Sequence, residues 1–249
     1  MTGASEEATM TSLIIDRQKG IVNMSAIGIE GKSASGKSTS LMNLPLDKII
    51  YYNVTGKPLP FKGSIPMTLV TSDIGVIIES LRKNTTNCYI IDDSQYLMAF
   101  KLIDKVNETG YSKYTEIAKD FKKLIDVANK EVSPDTLVYF LHHTETTDDG
   151  FTKMKTMGKM IDNWLTLEGL FSIVLMTHVE NGKYEFVTQN DGTSTCKSPI
   201  GMFPDRMPND LMNVDSMIRE YYSLEPIGLK KKPEKTSNVS TAKTLPKGV

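Results

Sequence analysis

Arginine is scarce in this sequence: four of 249 residues, Arg17, Arg82, Arg206 and Arg219, spread too widely to form a cluster for gripping anions. Cysteine is scarcer still, and the two present, Cys88 and Cys196, have neither metal-site spacing nor the makings of a disulfide framework, which suits a reducing, intracellular setting. No apolar run approaches the ~20 residues that span a bilayer, so no membrane partner is expected. The first residues, MTGASEEATMTSLIIDRQKG, carry acids where a signal peptide carries basic residues, and read as an untargeted extension over 1–20. Internal repeats are lacking too.

Net charge is nearly absent, at −1, but it is unevenly placed. From Pro226 onward there are six lysines and one acid, against 23 basic and 29 acidic residues before it. That final stretch, 226–249, is rich in Pro, Ser, Thr and Lys and poor in large apolar side chains. It cannot bury enough surface to offset its ordering entropy, so a disordered basic tail is expected. Its role is either to solubilise the chain or to reach nucleic acid electrostatically.

What the chain does have is alternation of strands and helices across 21–225. Apolar strands are predicted at IVNMSAIGIEG, DKIIYYNV, MTLVT, CYIIDD and TLVYFLHH. Helices are predicted near 74–83, 95–107, 113–131 and 209–222, and another at KMIDNWLTLEG. Continuously apolar strands indicate a sheet covered on both faces. Asn181-Gly182 between LFSIVLMTHVE and KYEFVTQN marks a C-terminal β-hairpin. The fold class expected is therefore α/β, a mostly parallel sheet with helices on both faces. The 14 methionines and Trp164 are assigned to core packing.

Between the first strand and STSLMNL lies Gly31-Lys32-Ser33-Ala34-Ser35-Gly36-Lys37-Ser38, which matches G-x-x-x-x-G-K-[ST]. Glycines let the chain wrap so that backbone N–H groups of Gly31, Ser33, Ala34, Ser35, Gly36, Lys37, Ser38 and Thr39 converge on phosphate, and a following helix would add its positive end. Lys37 would reach the outer phosphates of ATP and the Ser38 hydroxyl would ligate Mg²⁺. CYIIDD supplies carboxylates at the end of a buried strand. Asp92 is the natural partner of the Mg²⁺ shell; Asp93 either polarises an attacking water or caps the helix that follows. Glu30 is a weaker alternative base. His142 and His143 close the TLVYFLHH strand; adjacent strand residues face opposite ways, so one of them can sense the terminal phosphate, and the sequence leaves open which.

With these parts in order, the chain resembles the RecA-like P-loop ATPases encoded by bacteriophages, within the wider AAA/ASCE class. It is most similar to the small single-domain ATP-binding proteins of phage recombination and replication modules, including single-strand-annealing-type RecA homologues. The resemblance spans roughly residues 22–222 and is carried by GKSASGKS, IIDDSQYLM, KTMGKMID and LEGLFSIVLMT…NGKYEFVTQN. It implies an ATPase that forms rings or filaments on single-stranded DNA beside a phage single-strand-binding protein, in the cytoplasm of an infected bacterial host. It also implies a DNA-contacting loop after the sensor strand, here TETTDDGFTKMKTMGK, and a basic residue donated to the neighbouring subunit's ATP site, for which Lys153, Lys155 and Lys159 are the candidates. The glutamate that such enzymes place after the second strand is missing, which leaves Asp93 as base and implies slow hydrolysis. Two other readings start from the same loop: a P-loop kinase of nucleotides or small molecules, which the shortage of arginine disfavours, and a non-hydrolysing ATP-switched assembly or loader protein.

Overall fold

The structure, a computed structural model, describes residues 25–157 and 166–230. The N-terminal extension, Lys159, Trp164, most of the KMIDNWLTLEG helix and residues 231–249 lie outside the described residues. Among the described residues nine strands form the sheet: β1 (Ala26–Gly31), β2 (Ile50–Asn53), β3 (Thr68–Val70), β4 (Cys88–Asp92), β5 (Leu137–Thr146), β6 (Thr152–Met154), β7 (Ile173–Glu180), β8 (Lys183–Val187) and β9 (Arg206–Pro208). Their order is β3-β2-β4-β5-β1-β7-β8-β9, with β6 paired to β5. The pairs from β3 through β7 are parallel, while β6, β8 and β9 are antiparallel additions.

Side-chain alternation along the strands fills two cores, one on each face. On one face Val138, Phe140, Tyr89 and Ile91 pack against α1 (Ile74–Arg82), α2 (Gln95–Asp104) and α3 (Ser112–Lys130), through Ile77, Leu81, Leu97, Ile117, Phe121 and Leu124. On the other, Ile27, Ile29, Tyr139, Leu141 and Ile90 pack against Leu41 and against α4 (Leu211–Tyr222), through Leu211, Val214 and Ile218. Each such fully buried aliphatic or aromatic side chain contributes about 1.5–3 kcal/mol. The layered α/β sandwich expected from the apolar strands is what forms. Asp73 and Asp210 start α1 and α4 by accepting from Gly75 N at 2.7 Å and Met212 N at 2.9 Å.

The structure alters four local readings. The segment after the phosphate loop is a six-residue 3₁₀ helix, Ser38–Asn43, rather than an α-helix. Ser40 Oγ donates to Lys37 O at 2.6 Å, competing for a carbonyl, and Pro45 stops extension. The polar loop after β5 is largely a hairpin: Glu145 pairs with Lys153 and Thr146 with Thr152, because its threonines suit a strand and Gly150 supplies the turn. β9 carries too short an apolar signal to be read from sequence. Residues 226–230, assigned to the tail by composition, lie against the domain: Ile227 is buried, Gly228 N donates to Asn87 Oδ1 at 2.8 Å, and Lys230 pairs with Asp135. The Asn181-Gly182 hairpin forms as expected, with φ of +51° and +77°.

Buried charge at the base of the sheet ties the last helix in place. Arg219 lies 2.5 Å from Asp215 and donates to Asn87 O, Asp135 O and Glu225 O, while Tyr139 OH donates to the same aspartate. The guanidinium is thereby fully engaged, at the opposite ends of the strands from the glycine loop.

Candidate phosphate-binding site

The site lies at the carboxyl ends of β1, β2, β4 and β5, where parallel α/β sheets place their ligands. β1 runs directly into the glycine loop, residues 31–38. Gly36 takes φ of +97°, a left-handed conformation that favours glycine, and a Cβ there would meet Asn209 Nδ2 at 2.1 Å. Asn209 in turn donates to Gly36 O at 3.0 Å, so the segment before α4 braces the loop from outside. Gly31 is equally constrained: an added Cβ would fall 1.8 Å from Thr177 Oγ1, which sits 2.5 Å from Ser35 Oγ. Ala34, at φ of +60°, holds the loop's remaining sharp turn.

Lys37 is buried, and its ammonium donates to Gly31 O and Lys32 O, each at 2.8 Å. Burial pushes its pKa down to about 8, against the opposing pull of Asp93 and Asp92. Ser38 Oγ donates to Asp92 Oδ1 at 3.0 Å, joining the loop to the end of β4. Tyr51 OH donates to the other oxygen, Oδ2, at 2.7 Å. Burial raises the Asp92 carboxyl above its usual range, a cost that a bound cation would relieve.

Asp93 takes φ of +59° and directs its side chain into the site instead of capping α2. Thr55 Oγ1 donates to its Oδ2 at 2.8 Å, Lys57 Nζ lies 3.4 Å from the same oxygen, and His143 Nε2 lies 2.9 Å from Oδ1. Burial alone would raise this carboxyl, but hydrogen bonds from His143 and Thr55 and the Lys57 charge hold it well below the ordinary range. That low basicity weighs against Asp93 as a proton acceptor.

The two histidines divide as strand alternation requires. His142 is fully buried, with Nδ1 2.9 Å from Ser94 Oγ and Nε2 2.9 Å from Lys155 O; burial pushes its pKa down to about 4, so it is a neutral structural link. His143 lines a cavity of about 210 Å³ together with Ser33–Thr39, Asp92 and Asp93, and Tyr96 meets it edge-on. Glu30, also fully buried, does not face this cavity: Thr195 Oγ1 donates to its carboxyl at 3.1 Å.

Tyr51, Asn53, Thr55 and Lys57, which no sequence motif singles out, line the same cavity. Their one legible signal was position at the carboxyl end of β2, a strand whose adjacency to β4 sequence order does not reveal. Lys153 pairs with Glu145 across the hairpin, and Lys155 has an exposed side chain with its backbone N–H bound to His143 O. Neither lines the phosphate-loop cavity. Of the described arginines, Arg82 pairs with Glu79 and Glu131, Arg206 with Glu185 and Arg219 with Asp215, so none lines it either.

Ser38 and Asp92 offer adjacent hard oxygen donors, the kind that hold Mg²⁺ together with water and substrate phosphates. Among the described residues no group of three His, Cys, Asp or Glu side chains could hold a metal unaided. A larger cleft of about 450 Å³ lies between α1, α2 and α3 and carries no comparable convergence of groups. Among the described residues no helix is long and apolar enough to cross a membrane. No protein-family model matches the chain, and no curated protein matches it significantly.

Proposed function

We propose that this chain is a RecA-like P-loop ATPase that hydrolyses ATP with Mg²⁺ and works on single-stranded DNA, as a ring or filament, in recombination or replication of the kind bacteriophages encode. The observation that carries the reading is the Ser38–Asp92 hydrogen bond, which brings the end of the glycine loop and the end of β4 to one point beside Lys37. The loop backbone and Lys37 hold the triphosphate; the six-residue 3₁₀ helix adds little dipole, so the ammonium carries more of the attraction than a long helix would require of it. Ser38 and Asp92 hold the metal, and Tyr51 fixes the carboxylate that does so. When bound, Mg²⁺ neutralises charge on the outer phosphates.

Among the described residues no arginine lines the cavity, which favours hydrolysis over phosphoryl transfer to a second substrate. Lys57, 65% exposed and 5.4 Å over the Tyr96 ring, supplies a cation from within the chain, where the family resemblance implies one from a neighbour. Lys57→Ala is expected to lower turnover roughly tenfold with ATP affinity changed less. A steady-state comparison of kcat and KM checks it, and unchanged kcat would remove Lys57 from the chemistry.

The reading as a whole is tested by ATP turnover of purified protein with and without single-stranded DNA, at low and moderate salt. DNA-stimulated hydrolysis is the expected result. ATP-dependent assembly with negligible turnover would favour the switch or loader reading, and phosphate appearing on a nucleoside monophosphate would favour the kinase.

A further inference from the structure

We propose that His143, oriented by Asp93 and backed by Tyr96, is the catalytic residue that accepts the proton of the water attacking the terminal phosphate, and that Asp93 is its positioning residue. This rests on the ATPase reading above and names the proton acceptor within it.

The assignment follows from which lone pairs are free. Three of the four acceptor positions of the Asp93 carboxylate are taken: Thr55 and Lys57 occupy Oδ2, and Oδ1 receives His143 Nε2 at 2.9 Å. A carboxylate accepts, so Nε2 carries the hydrogen and the lone pair of the neutral ring is on Nδ1. Among the described residues Nδ1 of His143 has no hydrogen-bond partner, and His143 lines the cavity that Lys37, Ser38 and Asp92 also line. His142 provides the contrast within one strand, since both its nitrogens are spent on Ser94 and Lys155 O and the ring is sealed. Tyr96 packs at 89° against the His143 ring, 5.7 Å between centroids, which limits its rotation. Carboxylate, imidazole and an open nitrogen form the orienter–base pair that acts on hydroxyls in other hydrolases, here aimed at water.

The step balances simply. The water oxygen bonds to the terminal phosphorus as the bond from that phosphorus to the bridging oxygen breaks, and the leaving diphosphate takes the electron pair. The water proton passes to Nδ1, giving an imidazolium beside the Asp93 carboxylate, and then leaves to solvent.

The test uses the full-length chain with Mg²⁺ and single-stranded DNA, following equilibrium binding of a fluorescent ATP analogue and steady-state ATP turnover. His143→Ala is expected to bind the analogue within about threefold of wild type while kcat falls about a hundredfold, and added imidazole is expected to restore a large part of the loss. Asp93→Asn is expected to lower kcat with little change in KM. Should His143→Ala fold poorly, His143→Gln is read for the same kcat loss. Retention of more than a third of wild-type turnover overturns the proposal, as does a loss that imidazole leaves untouched. A large effect of Asp93→Asn without one at His143 overturns it in favour of Asp93 as base. Wild-type protein that binds the analogue without turnover also overturns it, whereas wild-type protein that binds no nucleotide fails the ATPase reading itself.

Discussion

Lys37→Ala is expected to lower ATP turnover by roughly 10³-fold and to weaken nucleotide binding measurably, while the protein remains folded. The side chain ends between Gly31 O and Lys32 O at 2.8 Å, at the centre of the loop, so its ammonium is aimed before any substrate arrives. Its pKa, pushed down to about 8 by burial, records what the protein gives up to keep a charge there. Truncation removes that desolvated charge, which offsets the loss of two hydrogen bonds, and thermal melting should therefore move little. A calorimetric titration with ATP and a turnover assay on the same preparation check both halves. Turnover above a tenth of wild type would mean that the phosphates are held elsewhere.

Glu30→Gln is expected to stabilise the protein at neutral and mildly alkaline pH and to flatten its pH dependence. Glu30 has no exposed surface. Burial, reinforced by the Glu168 charge and partly opposed by the Thr195 hydroxyl, raises its pKa to about 8 from 4.5. Around it, Met154 N donates to Glu168 Oε1 at 2.5 Å, and Lys197 feels the same Glu168 charge. The sign follows from proton counts. Between pH 4.5 and about 8 the folded chain holds a proton on Glu30 that the unfolded chain has released, so stability falls as pH rises through this window. The fall amounts to about 5 kcal/mol and levels off above about pH 8. The substituted amide cannot ionise and keeps a polar partner for Thr195, so denaturant midpoints of the variant should stay nearly level from about pH 5 to 8 apart from other groups. Parallel curves for variant and wild type would show that Glu30 ionises normally.

The two variants lie on either side of the end of β1, Glu30 in the strand and Lys37 in the loop that follows it. Glu30 and Gly31 adjoin, yet Glu30 turns into the packing under β6 and the Thr195 loop, while Gly31 opens the phosphate loop. Side-chain alternation on β1 thus separates a structural carboxyl from the cavity and removes Glu30 as an alternative base.

Sequence alone determined what depends on local spacing. The glycine loop with Lys37 and Ser38, the apolar β4 ending in Asp92, the helical periodicity of α3 and the Asn181-Gly182 turn each follow from neighbours in the chain, whose backbone preferences and burial pattern act over a few residues. The layered α/β architecture follows from those elements, because continuously apolar strands must be covered on both faces. Tertiary structure alone decided what depends on which strand ends lie side by side. It separated His143 from His142 by the face each presents, and it brought Tyr51, Thr55 and Lys57 from the end of β2 to Asp92 and Asp93. It also satisfied the Asp93 carboxylate with partners 36 to 50 residues away in the chain. It folded the lysine-bearing loop into a hairpin as well, since strand pairing with β5 gave those threonines a ladder that their own composition could not announce. Hydrogen bonds across a parallel sheet join residues whose separation along the chain carries no periodic mark, and that is why the glycine loop was legible and the partners of Asp92 and Asp93 were not.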